Sequence, residues 1–217
     1  MSIYYAVVAR KTTILTKYAV YSGNFDEVTN EILRKVDRDG KLTYTHDKYL
    51  FHYIASDMIT YLCICDEDFP RSKAFAFLSD IMQRFDRQYG TTAKTALPYA
   101  MNSDFSKVLQ TRMRYYTENP ESGTITKVQS EIDDLKQIMV KNIDSLSERG
   151  ERIELLVNKA EDLTNQSTQF QRQSRDLRRA MFWKNVKMYL LIGGIGFAIF
   201  WIILSISCGG IGIPKCR

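Results

Sequence analysis

Few side chains in this sequence have chemistry to offer. His46 and His52 lie six residues apart, and four cysteines include Cys63 and Cys65, two apart in an apolar run. An imidazole pair of this kind would serve a zinc ion. No cysteine or carboxylate spacing around it supplies the remaining ligands of a tetrahedral site. Cys63 and Cys65 project to the same face of a strand, and small core residues are a better reading of them than a redox pair. The chain holds no glycine-rich phosphate loop. The expectation is therefore no catalytic residue, no metal and no cofactor.

What remains is charge. The 217 residues carry 30 Lys and Arg against 25 Asp and Glu, a net charge of +5. The excess is local. Arg172, Arg175, Arg178, Arg179, Lys184 and Lys187 meet Asp176 alone, whereas Glu121–Gln171 is net acidic. A nucleic-acid partner would need a broad basic face, so none is expected. The basic cluster lies instead beside Met188–Pro214, which has no charge and whose first part, Met188–Ser207, is almost wholly apolar. About 20 such residues at ~1.5 Å each span the ~30 Å hydrocarbon core, which predicts a transmembrane helix over 188–208 with a short lumenal tail at 209–217. Phe182, Trp183 and Tyr189 fall at the depth of the bilayer interface, in and after a junction at 181–187. Arg178, Arg179, Lys184 and Lys187 outnumber Lys215 and Arg217, which orients the preceding chain to the cytosol. Met1–Val20 lacks the apolar core of a secretory signal. The chain reads as a single-pass, tail-anchored protein with membrane lipids as one partner.

The element that precedes the anchor is a heptad array. Spacings of three and four alternate without a break through Ile125, Val128, Ile132, Leu135, Met139, Asn142, Leu146, Arg149, Ile153, Leu156, Ala160, Leu163, Ser167, Phe170, Ser174 and Leu177. Twelve of these sixteen seam positions are apolar. Off the seam the apolar residues are only Ile138, Val140, Ile143, Leu155 and Val157. That contrast predicts a coiled-coil helix rather than a generic amphipathic one. Alone, the seam does not offset the entropy of ordering so long a segment, so partner helices are required. Arg149 sits mid-seam between apolar layers. Either it snorkels to water, or partner helices present acceptors to it and it fixes register at some cost in stability.

A central Arg in the seam, a basic and aromatic junction and a terminal anchor together resemble the R-SNAREs of the synaptobrevin family. The run IDDLKQIMVKNIDSLSERGER (Ile132–Arg152) resembles the family's core, and RRAMFWKNVKMYL resembles its membrane junction. The resemblance implies a SNARE motif over 125–180 whose helix joins three Gln-SNARE helices, syntaxin-like and SNAP-like. Arg149 would then be the central layer and the other fifteen positions the flanking layers.

The N-terminal region reads as a folded domain. Ile3–Ala9 and Thr13–Val20 are strand-like, rich in β-branched and aromatic residues. Asn24 with Glu27 suggests a capping box before a helix with Phe25, Val28, Ile32 and Val36 on one face. Three strands follow at Lys41–His46, Tyr49–Ala55 and Met58–Cys65, with a tight turn at Ser56-Asp57. Pro70 then opens a helix, Gly90–Met101 forms a loop, and Phe105, Val108, Leu109 and Met113 face inward on a last helix. The order ββαβββαα predicts an α+β domain, an antiparallel sheet covered by helices. Asn119-Pro120 and Ser122-Gly123 mark a linker over 119–124.

That order, with the segments YLFHYI, YLCICDEDFPRSKAFAFL and TALPYAMNSDF, resembles the longin domain, a profilin-like fold of five antiparallel strands with helices on both faces. The resemblance covers 1–118 and implies a regulator that can fold back on its own SNARE helix and bind coat or sorting adaptors. Leu42 and Tyr44 fall where longin domains dock such partners, and are equally readable as core or edge-strand residues. The chain is one residue shorter than the family pattern just before Lys41. The expected function is vesicle–target membrane fusion by zippering, in exocytosis and endosome or lysosome fusion, with residence on cytoplasmic vesicles, late endosomes, lysosomes and secretory vesicles. The alternative is a membrane-anchored longin adaptor without fusion activity. The unbroken seam running into the anchor favours fusion, because force needs continuous coupling and display does not.

Overall fold

The computed structural model describes residues 2–36, 39–119, 138–146 and 153–162. The remaining seam positions, Arg149 among them, lie outside the described residues, as do the linker, the basic and aromatic junction and the predicted membrane span. No helix of the described residues is long and apolar enough to cross a membrane.

Strands β1 (Ile3–Arg10) and β2 (Thr13–Ala19) pair antiparallel through a turn with Lys11 at φ 51°. The short β3 (Tyr21–Gly23) leads into α1 (Phe25–Lys35), which buries Phe25, Val28 and Ile32 along one face, as their spacing requires. A meander of β4 (Gly40–His46), β5 (Tyr49–Ser56) and β6 (Ile59–Asp66) follows. Its second turn has positive φ at both central residues, Asp57 at 52° and Met58 at 69°, the backbone hand that matches strand twist in a two-residue hairpin. Helix α2 (Arg71–Tyr89) starts directly after Pro70, and α3 (Asn102–Glu118) closes the domain.

The strand order is β2-β1-β6-β5-β4, all antiparallel, as the sequence predicts. Both faces are covered. Ala6, Val8, Cys63 and Cys65 pack under Phe77, Leu78, Ile81 and Phe85 of α2 and Phe105 and Leu109 of α3. The alternate residues Tyr5, Val7, Leu62 and Ile64 pack with Phe51 under α1. Two-sided burial explains why these strands are continuously apolar instead of alternating with polar residues. Cys63 and Cys65 are free thiols in the core with sulfurs 3.7 Å apart. Burial pushes the Cys65 thiol well up, leaving it in its unreactive form.

The β2 edge is covered by the chain before α3. Tyr99 N–H donates to the Ile14 carbonyl at 2.8 Å, Met101 N–H to Leu15 at 3.3 Å, and Lys17 N–H to Asn102 Oδ1 at 2.9 Å. The β4 edge has a different cover. A sixth strand, β7 (Met139–Asn142), runs parallel to β4, so the sheet is mixed. A further strand, β8 (Val157–Asp162), pairs antiparallel with β3 in a separate two-stranded sheet. Both come from the heptad segment.

Two expectations are therefore corrected. The heptad segment, expected to be helical with partners and unfolded without them, forms strands and a 3₁₀ turn over Met139–Leu146 and Val157–Asp162 in the chain alone. With no partner helices to receive its seam, this segment satisfies its backbone on open edges of the folded domain instead. The capping box also fails to form, since Asn24 makes no side-chain cap bond. Its amide has other partners.

His52 illustrates how completely the domain excludes water. Its Nδ1 lies 2.9 Å from Thr43 Oγ1 and its ring meets Phe75 edge-on. Burial, with Arg71 nearby, pushes its pKa down to about 3. Unfolded, the ring protonates near pH 6.5; folded, it stays neutral to about pH 3. Between those values the unfolded chain binds the extra proton, so stability falls as the pH falls, by about 3 kcal/mol at pH 4. In urea titrations from pH 7 to 4, His52→Gln should flatten this slope; parallel profiles for variant and parent would reject the assignment.

Candidate functional site

The site is built where the heptad segment lies on the folded domain. The side of β4 away from β5 is a sheet edge, the usual template for an added strand, and β7 pairs with it. There Leu42 lies opposite Met139, Thr43 opposite Val140, Tyr44 opposite Lys141 and Thr45 opposite Asn142. Leu42 and Tyr44 share the α1 face of the sheet. Tyr44 is buried and stacks on Tyr53 at 6.3 Å.

The folded-back chain crosses this edge from one face to the other. Ile138 packs with the α2 and α3 cluster, and Arg71 Nη2 donates to its carbonyl at 3.2 Å. After β7 the chain turns sharply. Asp144 N–H donates to Asn142 Oδ1 at 2.9 Å and Ser145 Oγ to the Asn142 carbonyl at 2.6 Å, an Asx turn of the kind asparagine favours. The 3₁₀ turn Ile143–Leu146 drops Ile143 and Leu146 into the α1-face cluster. Further on, Leu155 enters the same cluster, with Ile153 and Val157 packed against it. Leu156 bonds to Asn24, and Lys159 Nζ donates to Tyr4 Oη at 3.0 Å. The Tyr4 hydroxyl donates to Asp66. Burial opposes ionisation of Asp66, but hydrogen bonds from Tyr4 and Ser2 N–H hold its carboxyl below the ordinary carboxylate range. The hydrogen bond to Tyr4 raises the Lys159 ammonium.

The seam residues are not the ones the domain selects. Met139 and Leu156, both seam positions, are each 60% exposed, and Asn142 is exposed as well. Leu146 is buried and Ile153 half-buried, while Ala160 is placed by its backbone within β8. The off-seam residues Ile138, Ile143 and Leu155 are buried, Val157 is half-buried, and only Val140 of the five is exposed. These docking residues were not singled out from sequence. Their signal was present: they are the apolar residues that a two-residue-per-heptad seam leaves unexplained.

The arrangement holds an extended chain against the β4 edge and the α1-face cluster. Among the described residues no group of His, Cys, Asp or Glu has the geometry to hold a metal. The closed form also excludes another structure. Residues in a strand rise ~3.3 Å each and bond to β4, whereas in a helix they rise ~1.5 Å and bond within themselves. Met139–Asn142 cannot occupy both.

Comparison with known proteins identifies the two regions that meet here. Residues 124–204 match the synaptobrevin family, and residues 15–109 match the regulated-SNARE-like domain of the longin family. Over all 217 residues the chain is 50% identical to vesicle-associated membrane protein 7 of Mus musculus, covering 99% of that protein. It is 42% identical to vesicle-associated membrane protein 7B of Dictyostelium discoideum, covering 85% of it. It is 40% identical to vesicle-associated membrane protein 714 of Arabidopsis thaliana, covering all of it. Synaptobrevins are a class of non-enzymatic trafficking proteins. By these matches and by its longin fold, the chain belongs to the synaptobrevin family, as a longin-bearing R-SNARE of vesicle trafficking and membrane fusion.

Proposed function

We propose that this R-SNARE is the vesicle-side helix of a four-helix bundle, and that the folded-back segment is its brake. Its partners are three Gln-SNARE helices, syntaxin-like and SNAP-like, with Arg149 in the central layer and the seam from Ile125 to Leu177 around it. Arg178, Arg179, Phe182, Trp183, Lys184, Lys187 and Tyr189 couple that bundle to an anchor at 188–208, in vesicle membranes of the exocytic and endosome–lysosome routes. Coat and sorting adaptors engage the longin domain at the face that includes Leu42 and Tyr44, where they compete with, or lock, the folded-back chain.

One observation carries this reading. Met139–Asn142, seam residues among them, are hydrogen-bonded to β4 as a strand, so they must leave the domain before they can zip. Zippering begins at the membrane-distal end, because Ile125 is the end of the seam farthest from the anchor. The test is lipid mixing between liposomes carrying the full-length protein and liposomes carrying Gln-SNAREs. Mixing should be slow, faster once Met1–Pro120 is removed, and blocked by free Ile125–Leu177 peptide. Equal rates with and without Met1–Pro120 would remove the brake. Absence of mixing in both would leave the membrane-anchored adaptor as the function.

A further inference from the structure

We propose that Gly23 and Asn24 form a seat for an extended polypeptide backbone, which holds Glu154–Leu156 and releases separately from the β4 hold, so that the closed protein opens in two steps. The proposal rests on the brake reading above and deepens it, since it assigns the second half of the brake its own site.

The seat reads backbone alone. Asn24 Nδ2 donates to the Glu154 carbonyl at 2.8 Å, Leu156 N–H donates to Asn24 Oδ1 at 2.8 Å, and Asn24 N–H donates to the Leu156 carbonyl at 3.3 Å. The side-chain amide thus acts as an additional peptide group, offering one donor and one acceptor at the spacing of an extended chain. This explains why Asn24 does not cap α1. A Cβ on Gly23 would lie 2.4 Å from the Leu156 carbonyl oxygen, closer than any side chain permits. Glycine is therefore needed at this position to let the two backbones approach. Glu154 and Leu156 are exposed, so the seat takes no account of their side chains. Leu155, between them, fills the α1-face cluster. Beyond the seat, β8 pairs with β3, and Lys159 reaches Tyr4.

This hold differs in kind from the one at β4. There the chain joins the main sheet and its apolar residues 138, 143 and 146 carry the contact. At the seat it joins a separate two-stranded sheet, where the Asn24 amide and Lys159 add side-chain bonds to the β3–β8 ladder and Leu155 is the buried apolar residue. Residues 147–152, with Arg149, separate the two. What they share is the α1-face cluster that receives Ile143, Leu146 and Leu155. Partners that engage from Ile125 pull first on β7, and the seat retains Leu155 to Asp162 until the zipper passes the central layer.

Hydrogen exchange by mass spectrometry on the full-length protein in liposomes tests this, with β1 and β6 as internal standards. Asn24→Ala removes both side-chain bonds. It should raise exchange over Glu154–Asp162 about tenfold or more and leave Met139–Leu146 within about twofold of the parent. Ile143→Ser should do the reverse. Asn24→Asp keeps the acceptor for Leu156 N–H and should fall between parent and Asn24→Ala. Loss of protection in both segments with either variant would overturn the proposal, the strap then being one cooperative unit. A parent in which neither segment is protected would overturn the brake itself, a distinguishable result. Should Asn24→Ala also loosen β1 and β6, Lys159→Met decides. Its side chain belongs to the strap, and loss confined to Val157–Asp162 supports separate release, whereas loss extending to Met139–Leu146 overturns it.

Discussion

Replacing Ile143 with Ser is expected to speed assembly with Gln-SNARE helices tenfold or more while changing the stability of the finished bundle by much less. Ile143 has no exposed surface in the closed form, where it packs in the α1-face cluster. Burial of such a side chain is worth about 1.5–3 kcal/mol, and ~1.4 kcal/mol of that, transferred to the balance between closed and open chain, is a factor of ten. In the proposed bundle the same residue lies beside the seam and not in it, so its replacement should cost the bundle far less than it costs the closed form. Met139→Ser supplies the converse. Met139 is exposed in the closed form but belongs to the seam, so its loss should leave the rate of opening alone and lower the melting temperature of the bundle. Stopped-flow fluorescence transfer between labelled helices gives the rates, and thermal melts give the bundle stabilities. If Ile143→Ser assembles no faster than the parent, the closed form is not what limits assembly.

The second large effect is on the domain itself. Phe85→Ala should cost about 3–5 kcal/mol, a large fraction of the 5–15 kcal/mol by which a domain of this size is ordinarily stable. Phe85 is the hub of the α2 and α3 face. Its ring lies 5.9 Å from Tyr61, 4.9 Å from Tyr89 and 5.0 Å from Phe105, with the Tyr61 and Phe105 pairs edge-to-face. Truncation removes three aromatic contacts at once and leaves a cavity that rigid neighbouring strands close poorly. The consequence reaches function. β3 and the β4 edge exist as docking sites only while the domain is folded, so on warming the variant should reach the assembly rate of a chain lacking Met1–Pro120 at a lower temperature than the parent does. Urea unfolding followed by tyrosine fluorescence measures the first effect, and the same assembly rates measure the second. A loss under about 1 kcal/mol would mean that the neighbouring rings refill the space.

The longin elements were legible because their signals are local. Runs of β-branched and aromatic residues marked five of the strands, and Pro70 marked the start of α2 within one residue. Three features were not legible. Tyr21–Gly23 is too short to announce a strand and exists because β8 pairs with it. Asn24 has the residue type and spacing of a helix cap, and only the arrival of Glu154 and Leu156 diverts its amide. Asn142 reads as a polar break in a seam and serves in the closed form as an Asx turn.

The heptad segment separates what a sequence determines by itself from what folding decides. Period is a property of the chain alone, so the seam from Ile125 to Leu177, the uncharged stretch from Met188 and the two-sided apolar strands follow from spacing and composition. Conformation over Met139–Asn142 does not. The same residues have the period of a helix seam, yet they form a strand on the β4 edge with Ile143 in the α1-face cluster. Which is populated depends on groups about a hundred residues distant along the chain. Only the tertiary structure brings that edge, Asn24 and the off-seam apolar residues together, because backbone hydrogen-bond partners in a sheet are chosen by position in space and carry no mark in the sequence that accepts them.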